Sequence, residues 1–340
     1  MRYLKNAWYA AAWSSEIDAS KPFGRRIMDE PIVLFRGPEG RVHALHDRCP
    51  HRFVPLSGGK ICDATLQCPY HGLRFDGDGH CIRNPHGDGA IPKAAVVKTF
   101  PAVERFGLVW LWMGRRELAD PALLPNFDFL EDDRWVNVSG YVYGSGYYEL
   151  FTDNILDLGH AEFLHEGLKA PAFTIGKREV YQDGNTVWSN VSHPNDYISD
   201  IMNNIFGTHG QKLDAWTDVQ WTPPASMSLL SYYADPGQPK DTGRRHTSVH
   251  VMTPESEHAT HYFWAFGRDV RPDDEAFSNQ IRAGIASAFE NEDKPMIAIQ
   301  QAQIGAQDLM SLSPVLLAGD AGAVLARRVL RQLIAAEESA

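Results

Sequence analysis

Cys49-Pro50-His51-Arg52 and Cys68-Pro69-Tyr70-His71-Gly72, with sixteen residues between His51 and Cys68, decide how the first third of this 340-residue chain reads. Each stretch sets a cysteine two or three positions ahead of a histidine, with a proline stiffening the loop between them. Gly72 follows where a tight backbone path is useful. Two thiolates and two imidazoles suit zinc or an iron–sulfur cluster. Cys62 and Cys81 fall outside both loops and read as plain buried thiols. His43, His46, His80 and His86 lack the pattern and read as loop or surface histidines.

Outward from these loops the first third reads as short strands. Residues 27–35 and 42–45 flank the turn sequence Gly37-Pro38-Glu39-Gly40, and residues 95–100 and 108–113 are further β-rich runs with a turn near Arg105-Phe106-Gly107. Residues 49–92 are rich in Gly, Pro, His and Asp without periodicity, as functional loops are. Residues 1–118 are therefore expected to form an all-β domain.

From residue 119 onward the pattern changes to α+β. Residues 135–143 are strand-like and 147–158 helix-like. A hairpin is expected around Asp183-Gly184-Asn185, and strands over 227–233, 246–252 and 260–266. Residues 275–304 carry a helical pattern in which Pro295 marks a start or a kink. A last helix is expected after Asp320 as N-cap, with Leu325, Val329 and Leu333 as its apolar stripe. Residues 119–340 then make an antiparallel sheet with helices.

Apolar residues are 44% and charged residues 22%, an ordinary globular balance. Lys+Arg is 32 against Asp+Glu 43, a formal charge of -11 with no basic run, which argues against nucleic-acid binding. The apolar stretch 7–13 is too short for a signal peptide or a membrane span, so no membrane association and a cytoplasmic location are expected. Four cysteines clustered in a reducing compartment point to a metal rather than to disulfides.

A second constellation lies in Asp153-Asn154-Ile155-Leu156-Asp157-Leu158-Gly159-His160-Ala161-Glu162-Phe163-Leu164-His165. On a helix Asn154, Asp157 and His160 share a face, whereas His165 needs a bulge or a helix end to meet His160. Two histidines and a carboxylate with open positions form the site of non-haem Fe(II) oxygenases. A helix with two incidental histidines is the alternative. Glu290, Glu292 and Asp293 are the carboxylate candidates, and spacing leaves all three open.

Together these residues resemble the Rieske non-haem iron aromatic oxygenases, in particular the vanillate/dicamba O-demethylase-like branch. The resemblance runs nearly end to end. It includes Asn6-Ala7-Trp8-Tyr9, Pro22-Phe23-Gly24-Arg25, both Cys–His loops, the Asn154/Asp157/His160/His165 series, Thr253-Pro254-Glu255, His261-Tyr262-Phe263-Trp264 and Glu292-Asp293. It implies that Cys49, His51, Cys68 and His71 hold a 2Fe–2S Rieske cluster. It further implies that His160, His165 and Asp293 hold a mononuclear Fe(II), with Asn154 beside it.

A homotrimer is implied, in which Asp157 bridges His71 of one subunit to His160 of the next. O2 is the implied cosubstrate, with electrons drawn from NADH through a ferredoxin or reductase; the chain has no Gly-rich nucleotide motif of its own. The implied reaction hydroxylates a small aromatic substrate, above all by O-demethylating a methoxylated aromatic acid with release of formaldehyde. Ring hydroxylation or dihydroxylation, N-demethylation and methyl hydroxylation are alternatives at the same metals. A Rieske electron carrier without oxygenase activity is the alternative of a different class.

In the pocket, His250 matches a histidine of the branch. Positions that carry Asn and Trp there are Leu229 and Gly284 here, which argues against dicamba itself as substrate. Ala298 stands where relatives place a glutamate. Ile201, Met202, Ile205 and Phe206 are candidates for pocket wall or for ordinary core, as are Trp112 and Trp264.

Overall fold

The computed structural model describes residues 3–168 and 172–339. The chain divides into two compact units, Lys5–Leu124 and, with the first four residues, Pro125–Ala340. No described helix is long and apolar enough to cross a membrane.

The smaller unit is all β, with three antiparallel sheets. One joins Trp8–Trp13, Leu108–Trp112 and Ala102–Arg105; a second joins Phe23–Ile27, Glu30–Arg36, Val42–His46 and Thr99–Phe100. The third, Lys60–Cys62, Thr65–Gln67, Arg74–Phe75 and Cys81–Arg83, carries the second Cys–His loop between two of its strands. Val33, Phe35, Leu45, Leu56, Leu66 and Phe75 pack with Cys49 and Cys68 into one core, so the loops are anchored through their cysteines.

The structure corrects several expectations in this unit. Residues 27–35 are not one strand: Met28 (φ 50°) and Asp29 (φ 65°) make a two-residue hairpin turn whose apolar flanks hide it. Of residues 95–100 only Thr99–Phe100 joins a sheet, while Val96 bridges His80. His43 and His46 lie in a strand rather than a loop, and His43 stacks on Phe35 at 5.5 Å. Cys62 is half-buried, whereas Cys81 is buried. Trp112 is core, its Nε1 donating to the Arg115 carbonyl at 2.9 Å.

The larger unit is built on one seven-stranded antiparallel sheet. Its strands are β1 (Val136–Ser145), β2 (Lys177–Asp183), β3 (Thr186–Tyr197), β4 (Lys212–Thr222), β5 (Ser226–Ala234), β6 (Arg244–Ser256) and β7 (Ala259–Arg268). They lie in the order β1-β7-β6-β5-β4-β3-β2. After the first strand the chain meanders, so neighbours in sequence pair in space. Besides a short helix at Ala172–Ile175, the helices are α1 (Tyr148–Leu156), α2 (Ala161–Leu164), α3 (Asp200–Phe206), α4 (Glu275–Ala288), α5 (Lys294–Ile304) and α6 (Ala321–Glu338).

The expected stripe on α6 is displaced: Ala323, Ala326, Val329, Leu330 and Ile334 are buried, and Leu325 and Leu333 are half-buried. The buried face also includes Arg327, which a hydrophobicity pattern cannot count as core. Asp320 is the N-cap residue of α6, as expected, but its side chain makes no capping bond; its carboxylate instead accepts from the Leu317 N–H at 2.6 Å, one turn earlier.

Candidate active site

In the smaller unit the two Cys–His stretches form matched loops. The Cys49 N–H donates to the Val54 carbonyl (3.0 Å) and the Phe53 N–H returns to Cys49 (2.9 Å). The Cys68 N–H likewise donates to Leu73 (2.8 Å) and the Gly72 N–H returns to Cys68 (3.2 Å). The fifth residue of each loop is left-handed, Gly72 at φ 74° and Phe53 at φ 61°. Glycine adopts that conformation without cost, whereas for a side chain it costs about 1–2 kcal/mol.

Both loop thiols are buried, while His51 is exposed and His71 half-exposed, their rings 4.5 Å apart. Burial above all, with the Cys68 thiol alongside, pushes the Cys49 thiol up to about 11. A group that takes both sulfurs as thiolates offsets that burial, so two buried sulfurs and two outward imidazoles suit a cluster with a protein side and a solvent side. His86 is exposed, but its Nε2 lies 2.8 Å from the His71 carbonyl oxygen.

In the larger unit the segment through His165, expected to be helical with a bulge or a helix end near His165, breaks already after Leu156. Asp157 takes extended backbone angles and its carboxylate accepts from the Gly159 N–H at 3.0 Å, capping a short turn over Leu158–His160 before α2 begins. His165 comes at the end of α2. This double break is what lets two histidines five residues apart converge. Their rings lie 5.2 Å apart.

The carboxylate arrives from a π-helical turn, Phe289–Asp293, between α4 and α5. One such wide turn inserts a residue and rotates the helix beyond it. Pro295 sits in the first turn of α5, where its missing N–H is tolerated. The three open candidates take different places. Glu290 faces outward to Lys294 (2.6 Å), Glu292 accepts from His165 Nδ1 (2.5 Å), and Asp293 is buried between the imidazoles. Asp293 Oδ1 lies 3.4 Å from His160 Nε2 and 3.3 Å from His165 Nε2, and the donor atoms of the three residues lie within 4.8 Å of one another.

The surroundings prepare those atoms for a metal. His160 Nδ1 donates to the Asp157 carbonyl (2.7 Å) and His165 Nδ1 to Glu292, so both Nε2 atoms face Asp293. Partners of this kind set tautomer and ring orientation. For His160 the partner is the backbone carbonyl of Asp157; its carboxylate turns to Gly159 and lies 4.0 Å from Arg178. Asn154 Nδ2 donates to Asp293 Oδ1 at 3.0 Å and lies 3.4 Å from His160 Nε2. Burial works to raise the Asp293 carboxyl, but hydrogen bonds and charge from His160 and His165 outweigh it and hold the group well below the usual carboxylate range. Two imidazole nitrogens and one carboxylate on one side, with cavity on the other, match the open 2-His-1-carboxylate arrangement that suits iron.

These residues line a cavity of about 440 Å³ whose floor is the inner face of β4 to β7. His250, Leu229, Gly284 and Ile201 all line it, as do Met202, Ile205 and Trp264. Phe206 is core instead, packed on Tyr233 at 5.4 Å. A Cβ on Gly284 would meet nothing within 4 Å, so this position leaves open space. His250 is held at both nitrogens, by Tyr262 Oη (2.6 Å) and Ser248 Oγ (2.9 Å), and burial pushes it down to about 3, so it is neutral. Sequence reading missed the roles of Ser248, Tyr262 and His246. The alternation His246-x-Ser248-x-His250 places all three on one strand face, and that was the available signal.

Comparison with known proteins agrees with this geometry. Residues 7–101 match the family model of the Rieske [2Fe-2S] domain, and residues 145–336 that of the vanillate O-demethylase oxygenase C-terminal domain. The chain is 37% identical to the oxygenase component of dicamba O-demethylase from Stenotrophomonas maltophilia, over 98% of each. It is 36% identical to the oxygenase component of chloroacetanilide N-alkylformylase from Rhizorhabdus wittichii, over 98% of this chain and 97% of that one. Among solved structures, dicamba monooxygenase bound to 3,6-dichlorosalicylic acid superposes with a TM-score of 0.94 at 37% identity, covering all of both chains.

Proposed function

Since the chain belongs to the Rieske non-haem iron oxygenases, as an oxygenase component of the vanillate O-demethylase type, we propose that it O-demethylates a small methoxylated aromatic. In this reading Cys49, His51, Cys68 and His71 hold one 2Fe–2S cluster, and His160, His165 and Asp293 hold one mononuclear Fe(II). The observation that carries it is the convergence of three donor atoms within 4.8 Å on the wall of a 440 Å³ cavity. When bound, the two centres supply single electrons and a site for reducing O2 beside the substrate.

The chain's own residues do the rest. The Asp157 carbonyl and the Glu292 carboxylate each accept a hydrogen bond from an imidazole Nδ1, keeping both Nε2 atoms on the side of Asp293. Asn154 steadies Asp293 Oδ1. Trp264, Phe289 and Leu229 keep the wall beside these atoms apolar and water out. In balance, methoxyarene, O2, two electrons and two protons become phenol, formaldehyde and water. The electrons come from a ferredoxin or reductase that draws on NADH.

The family resemblance further supports a homotrimer in which Asp157 links His71 of one subunit to His160 of the next. A particle of three chains in light scattering is expected; a monodisperse monomer that turns over at full rate overturns it. N-dealkylation is the second reading, favoured by the chloroacetanilide relative. A bare electron carrier leaves the converged trio without a purpose.

The test is a single turnover. The purified protein is reduced without oxygen, given a pool of methoxylated and unmethylated aromatics, both acids and uncharged compounds, and then exposed to air. Formaldehyde with a matching phenol is expected. Dihydrodiol without formaldehyde overturns demethylation while sparing both metal assignments.

A further inference from the structure

We propose that this cavity selects an uncharged aromatic, an aryl ether or anilide bearing an amide or ester carbonyl, and discriminates against the corresponding carboxylate; the proposal rests on the oxygenase reading above and names its substrate class. Among the described residues, the cavity walls offer an anion no unpaired counter-charge. Outside the metal trio and its partner Glu292, the ionised side chain in the described lining is an acid, Asp196, and among the described residues no lysine or arginine lines the cavity. Arg268 stands opposite His246 in the β6–β7 register but is not part of the cavity lining: it is fully buried, its guanidinium centred 5.2 Å over the Phe277 ring and its Nη2 donating to Ser278 Oγ at 2.7 Å, with Nε and Nη1 unpartnered among the described residues.

The two imidazoles of β6 do not supply a positive charge either, and the third, His193 on β3, is turned to Asp196, its Nδ1 3.1 Å from the carboxylate Oδ2. His250 is bonded at both nitrogens to Ser248 and Tyr262. His246 lies four residues along β6, about 13 Å away at ~3.3 Å per residue. It stacks between Phe266 (5.0 Å) and Tyr233 (5.8 Å), with its Nδ1 buried and without a hydrogen-bond partner among the described residues. Burial pushes it down to about 4, so it is a neutral ring. A carboxylate placed here loses its hydration and finds no opposite charge, which is costly. A neutral carbonyl or amide needs only hydrogen bonds, and Ser231, His246 and Ser248 offer them on one strand face pair. Leu229 and the open space at Gly284 leave room for an apolar body between that polar end and the metal end marked by Phe289, whose ring is 5.9 Å from His250.

The experiment measures equilibrium binding to the anaerobic holoprotein at pH 7.5 by calorimetry. It uses matched sets that differ in one group: methoxybenzoates, methoxybenzamides and methyl methoxybenzoates, with alkoxymethyl anilides and their carboxylated forms. The uncharged member is expected to bind at least about ten-fold more tightly than its acid. Equal or tighter binding of the acid, or no binding by any uncharged member, overturns the proposal. His246→Phe keeps the aromatic stack and is expected to weaken the benzamide about five- to ten-fold while leaving a plain aryl ether unchanged, the worth of one hydrogen bond. Equal weakening of both, or none, removes His246 from the recognition. Binding is read without turnover, so the two readings fail separately. Tight uncharged binders that yield no formaldehyde break the demethylase reading alone, and formaldehyde from acids alone breaks this one.

Discussion

At the scale of single residues, Glu292 and Asp293 show how neighbours in sequence divide a task. Asp293 sits between the two Nε2 atoms, and Glu292 holds His165 from behind through Nδ1. Removing the partner of a ligand imidazole typically lowers metal affinity 10–100-fold. Glu292→Ala is therefore expected to lose iron measurably faster on dialysis than the parent, and Asp293→Ala to retain almost none; iron per chain by emission spectroscopy checks both. Equal retention in Glu292→Ala would show that its contact with His165 is incidental. That His160 and His165 converge could be anticipated from their types and spacing, given a helix break. Which of three nearby acids joins them was left open by spacing and singled out as Asp293 only by the family resemblance, because the answer depends on the hand and pitch of a turn that composition does not encode.

At the scale of elements, two breaks build the site. The stop after Leu156 turns His160 toward His165, and the π turn over Phe289–Asp293 rotates Asp293 inward. Deleting Asn291 removes the residue that the wide turn accommodates and is expected to take Asp293 out of line with the two imidazoles. Far-ultraviolet dichroism is expected to stay near parental while iron content falls; retained iron would contradict the π turn's role. A second device clamps α6 onto α1. Arg327 makes a two-pronged pair with Asp153 (Nη2 to Oδ2 2.7 Å) and bonds Glu149, both on α1, while Arg331 reaches Glu149 (3.5 Å) and Asp308. Arg327→Met leaves the buried Glu149 and the half-buried Asp153 carboxylates without their main partner, a loss of about 3 kcal/mol. A fall of several degrees in the unfolding midpoint is expected. The α6 stripe was legible as a helix but misphased by its leucines, because the residue that docks it is an arginine.

At the scale of the whole molecule, the buried histidines tie stability to pH. His246 titrates near 4 in the folded state against about 6.5 unfolded, because burial disfavours its charged form. Below the unfolded value the open chain binds a proton that the folded chain refuses, so stability is full above about 6.5 and is lost as the pH falls toward 4. Between pH 7 and 5 this one group accounts for about 2 kcal/mol. The drop in urea midpoint over that range is expected to be smaller in His246→Phe than in the parent. An equal drop would mean that His246 is not the neutral buried ring described here.

The chain by itself determined its composition class, its two-part organisation and the chemistry of both donor sets. These rest on residue types at fixed separations, and a Cys-x-His or Cys-x-x-His loop keeps its meaning wherever it is placed. The tertiary structure decided which acid meets the histidines, which face of β6 lines the cavity, and which ionisable groups share that space. Those outcomes depend on residues far apart in sequence, such as Asn154 with Asp293 or Glu149 with Arg327. Local propensity carries no information about such pairs, because their energy comes from a shared, desolvated position that exists only once the sheet and helices have closed around it.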